Sequence, residues 1–449
     1  MAIIETTPTK NDNFYNLRQK GLLGIRTEVT FGQGSIPLAT FTESNPTRSD
    51  LGKVRHVYDQ VRGLLGISSF AEVPLLLTDR DKKQKARMNA YDLIGNMYGI
   101  QTKPEHNESD KERKARIERI KEQVEDYAIV ANDVVEHLND VLSSSPVNLE
   151  TINVVKDTYD PVDLILIGLD NRYGQRVRFE AKRKLILMNL AAKIDQRERE
   201  IHINKRYRKM NEFLDTHVFK GGKIGEARNI ALVSTHDTET FATTAVTETL
   251  PQKVMEIELH PGEKITPLLQ RSFTFKGEEI PVQIDTRKKS SVSKVLKMLR
   301  KGKENPSEAI GDDVGFMAIF RNRRDIGLFK KHLNACGLQA GTLLDIQDVE
   351  NTLDGSAHEP QSAGSSSKLR QDKSHIMLSG ITIEGILHTY DSYTDYLYQR
   401  EVGHDEFDAS RYFDSGVVGL LFPTDIYPYD EDLLKSSTVK NIRSKIENS

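Results

Sequence analysis

The periodicity of the apolar residues changes once along this chain, near Asn229, and that change limits the folds open to it. Before it, apolar residues recur at helical spacing. Ile117, Ile120, Val124, Ala128, Ala131, Val135 and Leu138 fall on one face of a helix. Ser109 and Glu112 precede that face in the S-x-x-E order of a capping box. Asp160-Pro161 reads as an N-cap followed by proline at the first helical position. A second long helix is expected over about 178–219, with Leu185, Met188, Ile194, Ile201, Met210 and Phe213 among its apolar positions and "FKGGKIG" closing it. After Asn229 short β-branched segments take over: "NIALVS", "FATTAVTET", "VMEIEL" and "RSFTF". A basic helix follows, then the strand "DVGFMAIF", a helix over about 325–335 and a strand near "LLDIQDVE". "IMLSGITIEGILHTY" reads as one long strand, with a short helix after it. Residues 354–374, rich in Gly and Ser, predict a mobile loop. The expected fold class is α+β: a helical region over 1–225, an α/β domain with a mixed sheet over 226–425, and a C-terminal tail over 426–449.

Composition narrows the function classes. Charged residues are abundant but balanced, with a formal net charge of −3, which argues against a dedicated nucleic-acid coat or a membrane-surface protein. The single cysteine, Cys336, excludes a disulfide framework, fits a reducing compartment and reads as a small core residue. No CxxC or HExxH pattern offers a zinc site, and the N-terminus lacks the form of a signal peptide. The apolar runs are too short to span a bilayer, so a soluble, cytoplasmic protein is expected.

One stretch carries chemistry. "RKKSSVSKVLKM" opens a helix on which Lys289, Ser293 and Lys297 are successive i, i+4 positions, while Val292, Val295, Leu296 and Leu299 take another face. Arg287 and Ser290-Ser291 stand at its start, where free backbone N–H groups and the dipole favour an anion. A solvated lysine-rich face accounts for such a helix; so does a polyphosphate cradle. Just downstream, Asp312 and Asp313 open an otherwise apolar strand, which suits either a turn or a bound ion. In "GITIEGILHT", Ile381, Ile383 and Leu387 share one face, and Thr382, Glu384 and His388 the other. A carboxylate in mid-strand is unfavourable unless exposed, paired or metal-bound. If the two strands are neighbours, Asp312 and Glu384 suit one Mg²⁺.

The order R-x-K-x-x-x-S-x-x-x-K-M (Arg287, Lys289, Ser293, Lys297, Met298), then Asp312 with "VGF" close behind, resembles the RelA/SpoT-type (p)ppGpp synthetase domain. "ITIEGILHT" is similar to that family's glutamate strand at Glu384, Leu387 and Thr389, and the likeness covers about residues 255–420. The resemblance implies a nucleotidyltransferase-like domain that transfers pyrophosphate from ATP to the 3′-hydroxyl of GDP or GTP. Arg287, Lys289 and Lys297 would bind ATP phosphates, and Ser293 would contact a phosphate or brace the helix. Asp312 would hold Mg²⁺, and Glu384 would be a second ligand or activate the acceptor hydroxyl. On the acceptor side Met317, Ile386 and His388 depart from the family pattern, and no tyrosine takes the place of its guanine-stacking residue. Other acceptors, such as another nucleotide or a tRNA end, therefore stay open, as do a nucleotidyltransferase and a non-catalytic binder of nucleotide, RNA or the ribosome. The helical half is expected to regulate, dimerise or bind a partner. His236-Asp237 follows a strand and reads as a turn or cap rather than a hydrolase metal site.

Overall fold

The computed structural model describes residues 59–448, apart from 60, 64, 101–107, 144–152, 220–226, 255–256 and 357–365. The principal helices are α1 (Asp110–Ser143), α2 (Gln175–Glu200), α3 (Ile203–Phe213), α4 (Ser291–Lys301), α5 (Arg323–Gln339), α6 (Tyr390–Tyr398), α7 (His404–Asp414) and α8 (Glu431–Asn448). The strands are β1 (Arg228–His236), β2 (Thr243–Thr249), β3 (Glu263–Phe275), β4 (Glu278–Lys288), β5 (Val314–Phe320), β6 (Leu344–Asn351), β7 (Asp372–Leu378) and β8 (Ile381–Thr389). The chain divides into two compact units, one of 1–200, 290–310 and 416–431, the other of 201–289, 311–415 and 432–449.

The first unit is helical. The box at the start of α1 is formed: Ser109 Oγ accepts from Glu112 N at 3.3 Å, and the Glu112 carboxylate accepts from Ser109 N at 2.9 Å. All seven apolar positions of the α1 stripe are buried. Asp160 caps the helix Pro161–Leu169 through Val162 N and Asp163 N. The basic helix α4 belongs to this unit, although its neighbours in sequence belong to the sheet unit. Ser290 caps it, and Gly302 ends it in the left-handed region at φ 62°. Its buried face includes Val295, Leu296 and Leu299, as the pattern required, and also Met298, with Val292 only partly covered. It also includes Lys294, wholly buried, whose ammonium meets Glu198 of α2 at 2.5 Å.

The second unit is an eight-stranded mixed sheet in the order β2-β1-β3-β4-β5-β8-β7-β6. All neighbouring pairs are antiparallel except β5 and β8, which run parallel. One face carries the main core, where Phe213 and Leu214 at the end of α3, and Ile326, Phe329 and Leu333 of α5, pack on Ile284, Phe316, Ile383 and Leu387. Cys336 is buried there, its thiol directed at His217 O. Residues on the opposite face, including Ile319, pack with Tyr390 and Tyr393 of α6.

Several elements differ from their sequence reading. The helix expected over 178–219 is broken after Glu200, because His202 takes a left-handed φ of 51°, and a π-helical turn at Leu214–Val218 follows α3. The unit division accordingly falls at 200/201 rather than 225/226, since Phe213, Leu214 and Val218 are sheet-core residues. "FKGGKIG" lies almost wholly outside the described residues. "VMEIEL" contributes no strand among its described residues. β3 and β4 form a long hairpin turning at Lys276-Gly277, both at positive φ (54° and 84°), a pairing that a search for short strands overlooks. "IMLSGITIEGILHTY" is likewise two strands, β7 and β8, folded back at Ser379-Gly380 with φ 47° and 78°. Asp372–Ser374, placed by the sequence in the 354–374 loop, pairs in β7, while 357–365 is outside the described residues. The 426–449 segment is mostly the helix α8. No described helix is long and apolar enough to cross a membrane.

The Lys294–Glu198 pair yields a stability test. Removing Glu198 takes a carboxylate away from a buried ammonium, whereas replacing both residues with apolar groups removes the desolvation cost as well. Glu198→Ala is expected to cost about 3 kcal/mol in urea unfolding, and Glu198→Leu with Lys294→Met to restore most of that loss.

Candidate functional site

Four of the six candidate residues meet in the sheet unit. The β4–β5 ladder sets Arg287 opposite Gly315, and the β5–β8 ladder sets Gly315 opposite Glu384. Arg287, Gly315 and Glu384 thus form one row across three strands. Two strand spacings separate the outer members, roughly 10 Å, yet the Arg287 guanidinium reaches the Glu384 carboxylate at 2.8 Å. The missing side chain at Gly315 keeps that path open: a Cβ there would lie 2.7 Å from the Glu384 carbonyl oxygen and 3.3 Å from its Cβ. One residue beyond β4, Lys289 N donates to Asp313 O at 3.0 Å, prolonging the ladder. That hydrogen bond sets Lys289 beside Asp312, and their side chains form an ion pair.

Glu384 is 5% exposed and takes a second cation, Lys373 of β7, at 2.8 Å. Burial pushes its carboxyl up, but Lys373 and Lys289 outweigh burial and the opposing charge of Asp312, so it lies below its ordinary value. The coupling to Lys289 and Asp312 joins the two ion pairs into one cluster.

Helices α6 and α7 add residues that the sequence reading did not single out. The Tyr396 ring lies 5.3 Å from that of His388 and 5.3 Å from that of His404. His404 approaches Asp405 at 3.5 Å and Asp408 at 3.6 Å, and Arg411 approaches Asp408 at 3.4 Å. Asp405 raises the pKa of His404 most, with help from Asp408, against burial and the charge of Arg287. Burial pushes the Arg411 guanidinium down, while Asp408 and, more weakly, Asp312 pull it back up. The missed Lys373 had a legible signal. In "DKSHIML" the alternation puts Lys373, His375 and Met377 on the Glu384 side of a strand. Tyr396, His404 and Arg411 had none, because only the packing of α6 and α7 brings them near.

The other candidates have different surroundings. Ser293 and Lys297 lie on α4 in the helical unit. Ser293 is engaged in the helix cap: its N donates to Ser290 Oγ at 3.2 Å and its hydroxyl meets the Ser290 hydroxyl at 3.0 Å. Thr389 caps α6 through Ser392 N. Asp237 closes a turn by accepting from Glu239 N and Thr240 N, and His236 is buried, bonded to Ser234 and the Phe241 carbonyl. Among the described residues no group of three or more His, Cys, Asp or Glu side chains is arranged to hold a metal ion. Asp312 and Glu384 supply hard carboxylate oxygens, a donor set that suits Mg²⁺, which commonly takes one or two carboxylates and completes its shell with water and phosphate.

The chain matches no protein-family model, curated protein or solved structure.

Two measurements test the site's construction. Gly315→Val should cost about 1–3 kcal/mol in urea unfolding and disrupt the Arg287–Glu384 pair. His388 is fully buried, and burial, against a smaller upward effect of the Arg370 backbone, lowers its imidazole from 6.5 to about 4. The unfolded chain therefore binds a proton there that the folded chain refuses. Stability should fall as pH drops from 6.5 toward 4, and His388→Gln should flatten that part of the unfolding profile.

Proposed function

We propose that the sheet unit is a nucleotidyltransferase-like pyrophosphokinase domain that moves a pyrophosphoryl group from ATP to the 3′-hydroxyl of a guanine nucleotide. The observation that carries this reading is the buried Glu384, reached across Gly315 by Arg287 and flanked by Lys373, beside the Lys289–Asp312 pair. Three cations and two carboxylates in one cluster match the charge pattern of a polyphosphate with its divalent ion. Arg287, Lys289 and Lys373 would leave their carboxylates for donor phosphates, and Asp312 and Glu384 would take Mg²⁺. Bound there, Mg²⁺ would neutralise charge on the phosphates.

In the transfer, the acceptor oxygen bonds to the β-phosphorus of ATP. The bond from that phosphorus to the oxygen bridging the α-phosphate breaks, and AMP leaves. The hydroxyl proton must go to a base, and Glu384, held ionised by its neighbouring cations, would take that role where it is not the second Mg²⁺ ligand. Arg287 and Lys289 act by orienting the donor and spreading its charge. Lys297 and Ser293 of α4 enter the same reading through the motif alone.

The decisive assay incubates the protein with γ-labelled ATP, Mg²⁺ and, separately, GDP, GTP, ADP or bulk tRNA. Label is expected on GDP or GTP, with Asp312→Ala at least about 100-fold slower and its ATP affinity within a few-fold of the parent. Label on ADP or tRNA would move the acceptor assignment. No transfer to any acceptor would reject the pyrophosphokinase and favour a nucleotide- or RNA-binding regulator.

A further inference from the structure

The sheet unit contains a concavity of about 710 Å³ that none of the cluster residues above lines. It lies between α7, α8, Glu401 and the segment 366–368, and its volume is within the range of small-molecule sites. One face of α8 borders it, with Asp432, Ser436, Lys440 and Arg443 recurring at helical spacing. Its charges are unevenly distributed. Toward the start of α8, Lys435 is matched by Asp414 at 2.5 Å, and Asp432 lies in the first turn, where the helix dipole favours a carboxylate. Two turns further on, the bidentate pair of Arg443 with the nearly buried Glu406 (2.9 and 2.5 Å) forms a fixed wall. Lys368 is matched by Glu401 at 2.8 Å. Lys440, one turn before Arg443, lines the pocket with no carboxylate within ion-pair distance among the described residues. That end therefore carries surplus positive charge, and Ser367 and Ser410 add hydroxyl donors to the lining.

We propose that this pocket binds a small phosphate-bearing ligand, its anionic group held by Lys440 against the Arg443–Glu406 wall. The bidentate pair fixes the guanidinium before a ligand arrives, so little side-chain order is lost on binding. Lys440 supplies the charge that the wall itself has already spent on Glu406.

The test is titration calorimetry of the full chain with inorganic pyrophosphate, without ATP or acceptor. Arg287→Ala serves as background, to silence the cation cluster of the sheet face. Saturable binding is expected to persist in that background, to weaken at least tenfold on adding Lys440→Glu, and to weaken less with Lys440→Gln. Lys445→Glu, the same charge change on α8 outside the pocket, should leave it unaltered. Binding that disappears with Arg287→Ala alone, survives Lys440→Glu, or falls equally with Lys445→Glu would overturn the proposal. Because no transfer is measured, the result is independent of whether the sheet unit is a pyrophosphokinase.

Discussion

A carboxylate buried on the face of a sheet must be compensated, and in this protein Glu384 determines what surrounds it. At 5% exposure, an unpaired Glu384 would be strongly destabilising or would take up a proton. Instead Arg287 and Lys373 each reach it at 2.8 Å, from strands on either side of the β5–β8 pair. Arg287 depends on Gly315, Lys289 on the prolonged β4–β5 ladder, and Lys373 on the β7–β8 hairpin. Each is a backbone arrangement serving one charge. The cluster is therefore a property of the sheet's register: a one-residue slip of β4 would turn Arg287 to the opposite face, and a slip of β7 would turn Lys373.

That register depends in turn on the one parallel pair. Parallel strands cannot be joined by a tight turn, so the chain leaves β5, covers the core face with α5, and returns through the β6–β7 hairpin before laying β8 beside β5. Both faces of β5 are covered, which is why "VGFMAIF" is apolar almost throughout rather than alternating. The same placement brings the two acidic segments, 69 residues apart at Gly315 and Glu384, into direct pairing.

Much of this was legible before any coordinates. The α1 stripe, its capping box, the Asp160 cap, the Ser290-started helix and the opposite faces of "ITIEGILHT" follow from local chemistry, in which each residue answers to neighbours within a turn or two. The hairpins at Lys276-Gly277 and Ser379-Gly380 were harder, since each places a non-glycine residue at positive φ beside the glycine, a weaker signal than Asn-Gly. The buried Lys294 was not legible at all: on a helical wheel it borders the lysine stripe, and its partner Glu198 lies nearly a hundred positions earlier.

The sequence by itself determined most of the helical and strand segments, where several begin, and which side chains carry phosphate- and metal-compatible chemistry. Periodicity, caps and charge spacing act over a few residues, and a single chain displays them. Only the tertiary structure decided that Arg287, Lys289, Asp312 and Glu384 form one cluster, that Lys373 completes it, and that Ser293 is engaged in a helix cap. Strand order, register and the sharing of residues between two units depend on burying surfaces far apart in the chain, and one sequence offers no local record of those pairings.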